Sequence, residues 1–145
     1  MDRQFLDLTR RVGELERFET GTKGTYTPTY GGLTINGVTT YSVQQGNWER
    51  DGNKVTVQFE ITWTAATGTG TAYISLPFFA ASGMEFAMAV YPSGITFAGG
   101  GIVALVNTGL NYLVLGTPSS NAATATLAVE AAGTVFGTAI YFVAP

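Results

Sequence analysis

Five acidic side chains are spread over residues 24–145: Glu49, Asp51, Glu60, Glu85 and Glu130. Glycoside hydrolysis would need two of them facing each other at about 5–10 Å. Glu49 and Asp51 flank an Asp-Gly-Asn turn signal, where acids are ordinary solvated residues. Glu60 falls on the polar side of an alternating segment and Glu130 at the end of another, so nothing in the pattern pairs two carboxyls. The chain of 145 residues has no cysteine and no histidine. It therefore lacks a thiolate nucleophile, sulfur ligands for a metal, the commonest general base and the commonest zinc ligand. A calcium site at Glu49, Asp51 and Asn53 would have too few oxygen ligands. Gly68-Thr69-Gly70 and Gly99-Gly100-Gly101 lack a following Gly-Lys-Ser/Thr or helix start, so both read as turns and not as phosphate loops. The expectation is a protein that is not an enzyme and takes no cofactor or metal.

Charge is distributed unevenly. Residues 1–23 carry Asp2, Asp7, Glu14, Glu16 and Glu19 against Arg3, Arg10, Arg11, Arg17 and Lys23, and after Lys54 there is no cation at all. Phosphate neutralisation needs clustered Lys and Arg, so no nucleic-acid partner is expected for the body. The same lack argues against anionic membranes. The most apolar window, Gly99 to Gly116, is interrupted by Asn107, Thr108, Gly109 and Asn111, so no membrane insertion is expected. Met1 leads into charged sequence with no apolar run behind it, so no secretory signal is expected either. A body with so little charge must hide part of its surface against neighbours or rely on Thr, Ser, Asn and Gly for solubility.

The elements that would position these groups fall into two parts, divided at Thr20–Gly24. In residues 1–20, Phe5, Leu8, Val12 and Leu15 follow spacings of three, four and three, the a/d pattern of a coiled coil. Arg11 then occupies g and Glu16 the following e, placed to pair between parallel chains. This segment reads as an oligomerisation and attachment helix, with packing on its own domain as the alternative. Two heptads are marginal as an isolated helix.

From residue 24 to 145 the period switches to two, and one β-sandwich domain is expected. Val55, Val57, Phe59, Ile61 and Trp63 alternate with Thr56, Gln58, Glu60 and Thr62, a half-buried strand. Asp51-Gly52-Asn53 joins Tyr41–Arg50 to Lys54–Thr64 as a hairpin. Ala65–Gly70 is a second turn before Ala72–Leu76, and Pro77 stops that strand or places it on an edge. Further strands are predicted at Glu85–Tyr91, Gly94–Ala98, Ile102–Val106, Tyr112–Leu115, Ala123–Val129 and Val135–Val143, punctuated by Gly, Pro, Ser and Asn. The fold class is all-β: an antiparallel sandwich or jelly roll of about eight strands, preceded by the short coiled-coil helix. Most aromatics sit in alternation and read as core or intersubunit filler. Phe79, Tyr91 and Tyr112, beside predicted loops, are the candidate receptor contacts.

Three stretches carry a resemblance: Gly24-Thr-Tyr-Thr-Pro-Thr-Tyr30, Gly46-Asn-Trp-Glu-Arg-Asp-Gly-Asn-Lys-Val55, and Thr64 to Gly70 closing on Ile74-Ser-Leu-Pro-Phe78. Together they resemble a β-sandwich module of tailed-bacteriophage structural proteins that follows a short coil. The likeness covers roughly residues 24–78 and beyond that only a general β pattern. It implies a homotrimer located in the virion, in contact with other tail or capsid proteins. As a tail fibre or tailspike subunit, such a module would display loops to a host surface glycan or protein. As a capsid decoration or cement protein, it would clamp the head instead. A carbohydrate-degrading depolymerase is the third reading and suffers from the missing catalytic groups.

Overall fold

The computed structural model describes residues 3–19, 21–97, 100–119 and 122–145, with side chains except those of 12–19, 119 and 122. Among the described residues one helix, α1 (Arg3–Glu19), precedes ten strands. These are β1 (Thr22–Tyr26), β2 (Tyr30–Gly32), β3 (Thr39–Asp51), β4 (Lys54–Ala66), β5 (Ala72–Ser75), β6 (Phe86–Ser93), β7 (Val103–Val106), β8 (Tyr112–Ser119), β9 (Ala122–Thr126) and β10 (Gly133–Phe142).

The long hairpin forms where alternation and turn chemistry agree. Asp51 pairs with Lys54 across a two-residue loop, and Gly52 holds φ 58° there, a left-handed value that glycine adopts without a Cβ penalty. Along β4, Val55, Val57, Phe59, Ile61 and Trp63 all point inward and are buried. Each such side chain is worth roughly 1.5–3 kcal/mol of burial. Pro77 does stop β5, which is an interior strand paired with both β2 and β8.

All pairings are antiparallel, in the order β1-β3-β4-β10-β6-β7-β8-β5-β2, with β9 also on β8. β6 belongs to both halves of this sheet: Phe86–Ala89 pair with β7, while Val90–Ser93 pair with β10. The sheet curls at that strand, so that β4 and β10 share one core with β5, β7 and β8. Tyr30, on the β2 end of the path, stacks on Trp63 of β4 with ring centroids 3.9 Å apart. The all-β class is therefore observed, as one curled antiparallel sheet.

Three expectations are corrected. The ten strands among the described residues exceed the expected eight because β1 and β2, short and without apolar alternation, form through their partners. No strand forms over residues 94–97 of the expected Gly94–Ala98; Gly94 turns with φ 68° and Ile95 packs on the core instead. Residue 98 lies outside the described residues. The strand expected to end at Tyr91 continues to Ser93, so Tyr91 lies two residues inside the end of β6, opposite Phe136.

Candidate functional site

The two candidate surfaces are α1 and the outer face of the sheet. On α1 all described side chains, residues 3–11, are exposed, with Phe5 and Leu8 each 62% exposed. The described part of the apolar stripe is therefore not covered by the chain's own body. Arg11 lies 3.7 Å from Asp7 one turn earlier on the same helix, both highly exposed, so this pair is weak and exchangeable. Val12, Leu15 and Glu16, the remaining positions of the expected seam, lie outside the described side chains.

The three candidate receptor contacts separate onto different elements. Phe79 is 64% exposed in the turn after β5, while its neighbour Phe78 meets Trp48 edge-on at 4.8 Å. Tyr112 opens β8 and lies 5.4 Å from Tyr73, whose hydroxyl donates to Asn36 Oδ1 at 2.7 Å. Those two tyrosines border a cleft of about 400 Å³ with Thr29, Leu33 and Asn111. Tyr91 stacks on Phe136, with centroids 4.9 Å apart.

The outer face of β1, β3, β4, β10 and β6 is set by register. Lys23, Glu49, Thr56 and Ile140 form one row across the strands; Thr25, Asn47, Gln58 and Thr138 form the next. Gln45, Glu60, Phe136 and Tyr91 form a third. The β1 side is polar and holds a cleft of about 400 Å³ bordered by Lys23, Thr25, Asn47, Glu49 and Gln58. The β10 side is apolar: Phe136, Ile140 and Phe142 are between 43% and 50% exposed. Sequence reasoning missed these three. Their signal was present, because both alternating sets of residues 135–143 are largely apolar, which marks a strand needing cover on both faces.

Behind this face the resemblance motifs do structural work. Gly24 pairs with Trp48 and Tyr26 with Gly46 in the β1–β3 ladder, each aromatic lying over the opposite glycine. A Cβ on Gly24 would stand 2.8 Å from the Trp48 ring, so the contact needs glycine there. Tyr41 bridges the β2 backbone: its hydroxyl accepts from the Tyr30 N–H at 2.7 Å and donates to the Tyr30 carbonyl at 3.1 Å. Gly68 and Gly70 of the Gly-Thr-Gly stretch let residues 67–71 lie against residues 32–37. Burial pushes the Tyr30 phenol up to about 12, opposed by its hydrogen bond from Glu130, and burial pushes Tyr141 up to about 12 as well.

Among the described residues no helix is long and apolar enough to cross a membrane. Comparison with known family models finds no match. A search of curated proteins finds no significant relative.

Proposed function

We propose that the chain is a structural protein of a tailed-bacteriophage virion, a homotrimeric tail fibre or tailspike subunit that is not an enzyme. In this reading α1 is a parallel coiled coil, and the body is a jelly-roll-like module displayed to a host surface glycan or protein. The observation that carries it is the exposure of Phe5 and Leu8 on a helix leading into a fully cored β body. An apolar seam left open by its own chain is what a coiled coil offers to its partners. The motifs that resemble phage modules support the same reading, since Gly24, Tyr26, Gly46 and Trp48 act together in one ladder.

A capsid decoration protein is the second reading. It is favoured by the apolar outer face of β10, which a shell would cover. Gold-labelled antibody against the chain, applied to phage particles, tests both. Label at the tail supports the appendage, label over the head means decoration, and unlabelled particles that lack the chain by mass spectrometry overturn the virion assignment. Steady release of reducing sugar from host polysaccharide, lost in Glu60→Gln or Glu85→Gln, would overturn the non-enzymatic part.

A further inference from the structure

Outward from β10 stand Phe136, Thr138, Ile140 and Phe142, joined on the β6 side by Tyr91. Tyr91 is 61% exposed and the three large β10 side chains are at least 43% exposed. An aromatic ring buries roughly 150–250 Å² when fully covered, so four half-exposed side chains present about 400 Å². That matches the largest apolar patch of an ordinary monomer, about 300–600 Å². Ala87 and Ala89 continue it along β6 and Thr56 along β4, towards the ~800 Å² per partner of a stable interface.

The border of the patch says what covers it. On β4, Glu60 pairs in register with Phe136 and Lys54 with Phe142. Lys54 and Glu60 point to the same side of β4, about 20 Å apart at ~3.3 Å per residue. The residue midway between them is Val57, whose partner on β10 is Ala139, and Ala139 is midway between Phe136 and Phe142. Both the charges and the rings therefore share one centre. No charged residue lies on β6, β7, β8, β9 or β10, and Lys23 of β1 and Glu49 and Asp51 of β3 lie on the side of β4 away from the rings.

We propose that this face is a two-fold self-association surface, covered by the same face of a second copy of this chain. The axis lies between the two sheets at the level of Val57 and Ala139, perpendicular to the strands. Rotation about it reverses strand direction. Each Glu60 then meets the Lys54 of the other copy, and each Phe136 the other copy's Phe142. Such a contact is isologous, each interaction occurring twice. Aligned face-to-face packing is an ordinary arrangement for twisted sheets. The proposal adds a second contact to the helix seam of the proposed function and does not depend on it. The intact chain then assembles in even numbers, six if the helix joins three.

The test uses the full chain carrying Leu8→Asp and Leu15→Asp, so that light scattering reads the body alone. It is expected to be a dimer at micromolar concentration. Adding Phe136→Thr with Ile140→Thr, both β-compatible and on the outer side, is expected to give a monomer with an unchanged circular dichroism spectrum. Glu60→Lys alone or Lys54→Glu alone sets like charges together twice and is expected to weaken the dimer about tenfold. The double exchange is expected to restore it to within about twofold. A monomer before any face substitution, a dimer indifferent to Phe136 and Ile140, or a double exchange that fails to restore affinity would each overturn the proposal. The same face substitutions in a chain with its native helix leave the helix-driven mass in place, which separates this result from any failure of the coil.

Discussion

Tyr30 and Trp63 stack face to face and together hold both polar groups of the Glu130 backbone. The Glu130 N–H donates to the Tyr30 hydroxyl at 2.9 Å, and the Trp63 indole N–H donates to the Glu130 carbonyl at 2.9 Å. The ring pair thereby ties β2, β4 and the connection before β10, three segments far apart in sequence. Tyr30→Phe keeps the stack and removes one acceptor. It is expected to cost about 1–3 kcal/mol, because the Glu130 N–H loses its partner, and the loss is read from the urea midpoint at unchanged slope.

Alkaline pH should unfold the protein through its buried phenols. Burial raises Tyr30 and Tyr141 to about 12, and Tyr26 moves in the same direction through burial and its proximity to Tyr141. Below about pH 10 these groups are neutral in folded and unfolded chains alike, and stability is complete. Between about pH 10 and 12 only the unfolded chain ionises, so stability falls by about 1.4 kcal/mol per pH unit for each tyrosine. Urea titrations at pH 8 and pH 11 check this. Equal midpoints would mean that the phenols are not held neutral.

Tyr26 gives a contrast within the same residue type. Its hydroxyl is buried without a hydrogen-bond partner, while its ring lies over Gly46. Tyr26→Phe is expected to be neutral or to stabilise by up to about 1 kcal/mol, since it removes an unsatisfied polar atom. Gly46→Ala is expected to destabilise by about 1–3 kcal/mol, because the new methyl overlaps that ring. Thermal melts of the two variants should shift in opposite directions or differ by several degrees.

The helix is tested by mass. Leu8→Asp with Leu15→Asp would place an unpaired carboxylate at two seam positions in every chain, several kcal/mol each if buried. The oligomer is expected to fall to the smaller species held by the sheet face. Light scattering that finds the full native mass would mean that α1 does not join chains.

What the sequence revealed and what it hid follow one rule. Where one face is buried and the other polar, as in Val55–Trp63, alternation fixes both the strand and its inward side. Residues 135–143 are apolar on both sides, so their strand was legible but not which side lay open. β1 and β2 were hidden because Thr22–Tyr26 and Tyr30–Gly32 are short and show no apolar alternation; in the β1–β3 ladder Trp48 and Tyr26 cover the glycines opposite them, and β2 forms on β5. The strand was ended at Tyr91, two residues too early, because Pro92 reads as a strand end, yet Pro92 continues β6 opposite Val135. The helix at the start of the chain was readable from spacing alone, and Phe5 and Leu8 are exposed on it, whereas Phe79 and Tyr112 share no surface that spacing could have indicated.

The place of β10 between β4 and β6 governs how the protein is made. Until residues 133–142 emerge from the ribosome, β4 keeps an open edge and β6 lacks half of its ladder. At roughly 5–20 residues per second that edge stays open for several seconds of synthesis. α1 needs nothing downstream for its own hydrogen bonds and emerges before the strands. If α1 joins chains as proposed, nascent chains on one messenger meet through it before any body has closed, and partner choice precedes folding. An unsealed β4 is also the template on which a neighbouring nascent chain would insert its own β10, so strand exchange during translation is the characteristic hazard of this topology.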